Sequence, residues 1–162
     1  MITNKTKMKW IISLRFISLV AHLVLVILFI SNRDYNVRLC LSWNHSDKEY
    51  WSKDYELVVG LSLSIVLLIL ELLSFITGIT MIHAKQTLFY DNFSFSFFYF
   101  LTTAFCIHTF GTITLTSFIM DGWECQLFWW LFTITILIPF LTESMIMIHT
   151  ILLLYNTNLT YR

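Results

Sequence analysis

The chain has 162 residues, of which 57% are hydrophobic and 12% charged, whereas a soluble domain carries about a quarter charged residues. Ten basic and ten acidic residues cancel, which argues against a nucleic-acid partner and against a polybasic surface-binding domain. One Pro and four Gly leave no linker-like tract, so a single domain spanning 1–162 is expected.

A helix needs roughly 20 apolar residues to cross the hydrocarbon core, and the chain supplies four such runs. The first extends from Trp10 to Ile30. Lys5, Lys7 and Lys9 precede it as in a secretory leader, but the run is too long and Ile30-Ser31-Asn32 offers no small-residue cleavage site. It is therefore read as a retained helix. Arg15, Ser18 and His22 share one of its faces, and Arg15 is expected to snorkel to the membrane surface. A loop over 31–55 follows, holding Cys40, the sequon Asn44-His45-Ser46 and the aromatics Trp43, Tyr50, Trp51 and Tyr55. Those aromatics read as an interfacial belt.

The second run, Glu56 to Ile82, aligns Gly60, Ser64, Glu71, Ser74 and Gly78 on one stripe. Small residues four apart let helix backbones approach closely. The third, Phe93 to Met120, contains Cys106 (a small core residue by this reading), His108, Gly111 and Thr112. The fourth, Phe128 to Tyr155, carries Thr135, Pro139, Thr142, Glu143 and His149, with Pro139 expected to kink it. All four are too long, and lack the alternation, to be barrel strands. The backbone must satisfy itself in lipid, so the fold class is an all-α integral membrane protein, a four-transmembrane-helix bundle.

Lys and Arg favour the cytoplasmic side. Placing both termini there groups Lys5, Lys7, Lys9, Arg15, Lys85 and Arg162 inside and leaves Arg33, Arg38, Lys48 and Lys53 outside. Cys40 and Cys125 then share the exoplasmic side, where disulfides persist; a bridge between them competes with two free thiols. Asn44 becomes a candidate N-glycosylation site. The sequons at Asn4, Asn92 and Asn158 face the cytoplasm in this arrangement and are expected to stay bare.

At 1.5 Å per residue, His22 and His108 lie roughly 18 Å from a surface and Glu71 and Glu143 about 22 Å, near one shared level. In one reading these four form a proton relay or metal site. In the favoured one they are an interhelical polar layer of neutral groups fixing the register of the bundle. Paired ligands at helical spacing are missing, as are the repeats and broken helices of transporters. No nucleophile elbow, P-loop, dinucleotide fingerprint or Cys-x-x-Cys pair is found. No enzymatic activity, cofactor or metal is expected.

Together the segments resemble the transmembrane protein 107 family of tetraspan ciliary transition-zone proteins. The resemblance rests on Arg15-Phe16, Ala21-His22-Leu23-Val24, Arg33-Asp34, Asn36 and Cys40-Leu41 around the first helix, and on Glu71-Leu72, Phe75, Gly78, Met81 and Gln86 around the second. His108, Trp123-Glu124-Cys125, Pro139 and Thr142-Glu143 complete it. It implies cytoplasmic termini and a non-enzymatic component of the ciliary transition zone. There such a protein helps assemble the Meckel-syndrome group of proteins, with tectonic-type and other membrane partners, supports cilium assembly and gates ciliary membrane composition. Met1 to Lys9 and Asn156 to Arg162 depart from the pattern. The alternatives are a small proton- or ion-conducting protein using the Glu/His layer and, less well matched in loop size and cysteine pattern, a claudin- or tetraspanin-like adhesion protein.

Overall fold

The structure, a computed structural model, describes residues 4–41, 46–76 and 91–160. Trp43, Asn44, Gly78, Met81, Lys85, Gln86 and Arg162 lie outside the described residues.

Helix α1 covers Asn4–Ser31, and a short α2, Arg33–Cys40, folds back after one turn residue. Helix α3 runs Asp47–Ile76 and α4 Asp91–Asp121. The last span is continuous but changes its winding: α5, Cys125–Phe132, passes through a π segment, Thr133–Leu137, into α6, Ile138–Thr160. Four of these stretches are long and apolar enough to cross a membrane: Trp10–Ser31, Asp47–Ile76, Leu101–Asp121 and Cys125–His149.

Several boundaries extend beyond the sequence reading, and the last span, for example, runs 125–160 rather than 128–155. The expected loop over 31–55 is largely helical, because α2 fills 33–40 and α3 begins at Asp47 rather than Glu56. Charged residues mask a helix when apolar runs are the guide, yet Asp47 and Glu49 suit a helix N-terminus. The first helix likewise begins at Asn4, before the apolar run.

Each span buries a stripe whose members are three and four residues apart. In α4 the stripe is Leu101, Ala104, His108, Gly111, Leu115 and Phe118; in α1 it is Arg15, Leu19, His22, Val26 and Phe29. This is the seam spacing of helices packed nearly parallel to one another. His22 meets His108 and Phe29 meets Phe118, so α1 and α4 run parallel. Arg15 meets Glu71 while Arg33 meets Asp54, so α3 runs against α1. The same holds for the fourth span, where Phe29 meets Phe128 and Arg15 meets Glu143. The bundle is therefore up-down-up-down, with Asn4 and Thr160 toward the same end.

At two glycines a neighbouring side chain occupies the place a Cβ would take. A Cβ at Gly60 would lie 2.5 Å from Phe128 Cε1. One at Gly111 would lie 2.7 Å from His22 Cε1 and 2.8 Å from the Cβ of Thr135. Gly122, at φ +62°, makes the turn between α4 and α5 beneath Leu39, a left-handed conformation suited to glycine. The end of the bundle near α2 is closed by Val37 and Asn36, both buried, and by the Arg33–Asp54 ion pair at 2.9 Å. Cys40 and Cys125 are joined there by a disulfide with Cα atoms 5.5 Å apart.

Pro139 lies two residues beyond the widened segment. Its ring would strike the carbonyl of Thr135, four residues back, and it has no N–H to offer that carbonyl. Winding with five-residue bonds, as in Ile138 N–H to the Thr133 carbonyl, accommodates the ring without breaking the span. The Thr135 hydroxyl bonds back to the Leu131 carbonyl at 2.8 Å.

Candidate functional site: a buried ionic layer

The inward stripes bring five ionisable side chains into one connected chain. His22 on α1 and His108 on α4 approach through their Nδ1 atoms at 3.4 Å. His108 Nε2 lies 2.8 Å from Glu71 Oε1 on α3. Arg15 Nη2 donates to the same Glu71 oxygen at 3.2 Å and to Glu143 Oε2 on α6. All four spans are thereby joined by polar contacts at their centre.

Arg15 corrects the sequence reading. It was expected to reach the membrane surface, but its side chain is 0% exposed and it is the hub of the layer. The reason is rotational: Arg15 shares its helix face with Ser18 and His22, and that face points inward. Its guanidinium also stands 5.7 Å from the centre of the Phe75 ring, which in turn stacks on Phe16 at 5.8 Å. Of the four residues expected at one level, His22 contacts His108 and His108 contacts Glu71 directly, whereas Glu143 is not bonded directly to the other three. Glu143 is linked to the others through Arg15.

The guanidinium also changes the expected charge. A buried Arg is always protonated, and leaving it unpaired in so dry a site would cost several kcal/mol. At least one of the two glutamates must be ionised to balance it, so the layer is not built from neutral groups alone. With Glu71 as carboxylate, His108 donates from Nε2, and its Nδ1 is left to accept from His22 Nδ1–H. One direction of hydrogen bonding therefore runs from His22 through His108 to Glu71, where it meets the donation from Arg15.

The other expected residues fall as follows. Gly60, Ser64, Pro139 and Thr135 are buried on the inward stripes, and Ser64 bonds to the Gly60 carbonyl at 2.7 Å. Ser74 is half-buried and its hydroxyl lies 3.9 Å from Met147 Sδ across the gap to α6. Thr142, His149 and Cys106 face outward, so Cys106 is not the core residue anticipated for it. Of the aromatics, Tyr50 is half-buried and donates to Asp34, while Trp51 and Tyr55 are exposed. Among the described residues, no group of three His, Cys, Asp or Glu side chains converges as a metal site requires.

Two of the layer's oxygens, Glu71 Oε2 and Glu143 Oε1, are buried without a hydrogen-bond partner among the described residues. Both glutamates border a cavity of about 280 Å³ between α3 and α6.

Four apolar spans, each contributing to a single buried ionic layer, define a polytopic membrane protein with a charged interior seam. The family model for TMEM107, a transmembrane protein, matches residues 11–147. Transmembrane protein 107 of Xenopus laevis is 32% identical over 134 residues, 83% of this chain and 86% of that protein. The Homo sapiens protein is 32% identical over 129 residues, 80% of this chain and 82% of its own length. The Danio rerio protein is 28% identical over 141 residues, 87% of this chain and 94% of that protein. The chain belongs to the transmembrane protein 107 family. No solved structure matches it.

Proposed function

We propose that the chain is a non-enzymatic scaffold of the ciliary transition zone, both termini in the cytoplasm, helping to assemble a Meckel-syndrome-type complex that supports cilium assembly and gates membrane-protein entry. The observation that carries the reading is the buried layer. It spends the ionisable groups at the bundle's centre on holding four helices in register, leaving large apolar side chains such as Phe110, Ile113, Leu141 and Met145 on the outside. Outward apolar faces on a rigid bundle suit docking of partner helices, here tectonic-type and other transition-zone membrane proteins. Membership in the family supports the setting.

The same chain of groups is what a proton or ion conductor would use. Arg15 argues against that use, because a fixed cation in the middle of the chain opposes the passage of a positive charge. Flux of protons or ions through purified protein in vesicles, abolished in Glu71→Gln, would favour conduction.

The test is to image the tagged protein in ciliated cells against basal-body and axoneme markers. A band confined to the ciliary base is expected. Spread over the plasma membrane or endomembranes, with cilia unaffected by loss of the protein, would sink the proposal. Glu71→Gln and Glu143→Gln should each lower complex assembly and localisation together, and intact assembly in both would remove the charged layer from the mechanism.

A further inference from the structure

The cavity between α3 and α6 combines three features that select its occupant. Its rim is open to lipid: Leu70 and Leu73 of α3 are exposed on the outer surface of the bundle. Its walls are mainly apolar, with Phe140 and Met147 opposite those leucines. Its inner end holds Glu71 and Glu143, whose unpartnered buried oxygens, Oε2 and Oε1, can accept hydrogen bonds.

We propose that this cavity binds a sterol from the membrane, with the sterol hydroxyl donating to a glutamate oxygen at the inner end. A carboxylate oxygen accepts only, so the occupant must donate. Arg15 already donates to both glutamates and is not part of the cavity lining, so among the described residues the cavity offers a phosphate headgroup no cation. A diacylglycerol also carries a hydroxyl, but its two ester carbonyls follow immediately and would bring more acceptors beside the carboxyls. Behind a sterol hydroxyl there is only hydrocarbon, which matches leucine, phenylalanine and methionine. The 280 Å³ of space equals about nine volumes of water or methylene size, enough for the hydroxyl and most of the first two fused rings. The rest of the molecule would lie along the exposed face of α3 in lipid. The proposal is independent of the ciliary reading.

The experiment uses the purified full-length chain in nanodiscs with a photoreactive sterol, with labelled peptides mapped by mass spectrometry. Labelling should saturate, map to α3 and α6, and be competed by unlabelled sterol. The sterol methyl ether, which cannot donate, should compete about tenfold less well, the loss of one hydrogen bond to a charged acceptor. Ser144→Phe should fill the cavity, and Leu73→Trp should close its rim. Each should abolish saturable labelling while the melting temperature stays near that of the unaltered protein. Non-saturable labelling, labelling that survives in both variants, or equal competition by the methyl ether or by diacylglycerol would overturn the proposal.

Discussion

The Arg15 hub makes the sharpest prediction. Replacing it by Met keeps an unbranched, though shorter, side chain and removes the charge. Glu71 and Glu143 are then left in a site where their side chains are 1% and 3% exposed, so water cannot take over. Removing one partner of a buried ion pair costs about 3–5 kcal/mol. In a chain of this length each kcal/mol moves the midpoint by roughly 2–4 °C, so Arg15→Met should melt about 6–20 °C below the unaltered protein. Thermal unfolding followed by circular dichroism in nanodiscs is the assay. The structure also orders the rescues. Without Arg15, Glu71 keeps His108 as a partner at 2.8 Å, whereas Glu143 loses its partner among the described residues. Adding Glu143→Gln should therefore restore more stability than adding Glu71→Gln. A melting point within about 2 °C of the unaltered protein for Arg15→Met, or the opposite order of rescue, would refute the hub assignment.

Three further outcomes follow from other parts of the fold. Gly111→Ala puts a methyl 2.7 Å from His22 Cε1 and 2.8 Å from Thr135 Cβ, so overpacking should cost about 1–3 kcal/mol in the same melting assay. Maleimide labelling in denaturant should find one thiol, Cys106, before reduction and three after it; Cys40→Ser, Cys125→Ser and the double variant should lose similar stability, about 2–4 kcal/mol. On the surface, the Tyr50 hydroxyl and then the Arg38 guanidinium hold the Asp34 carboxyl below its usual range. A depressed folded-state value stabilises above the ordinary carboxylate range near 3.8 and is lost as pH falls through the lowered value. The contact between α2 and the start of α3 should therefore loosen only in acid, and the Asp34 carbon resonance in NMR should titrate below that of Asp34 in Tyr50→Phe.

How far the sequence reveals these features follows from what each depends on. Four apolar runs suffice for four spans, because lipid leaves a helix few alternatives. The inward face of α1 is also legible, since Arg15, Ser18 and His22 coincide on it. The helical nature of 33–40 and 47–55 is hidden, because those residues are amphipathic or polar and apolar length says nothing about them. The π segment is hidden for another reason: Pro139 announces a disturbance, but whether a span kinks or widens depends on what packs against it, here Gly111 of α4 against Thr135.

Depth was the misleading variable at the site. Counting residues from the helix end places Arg15 near the surface, as though its helix stood alone, yet its side chain is buried. Rotation decides instead. A long Arg on the same face as two inward polar groups cannot reach water without turning its helix and exposing His22. Turning α1 would also break the contacts of His22 with His108 and of Phe29 with Phe118. The packing of α1 on α4 thus holds Arg15 inside, and Glu71 and Glu143 are the acidic residues that α3 and α6 bring within its reach. An ionisable residue on the buried stripe of a membrane helix is therefore better read by asking which opposite charge its neighbouring helices can bring to it than by how near it stands to the membrane surface.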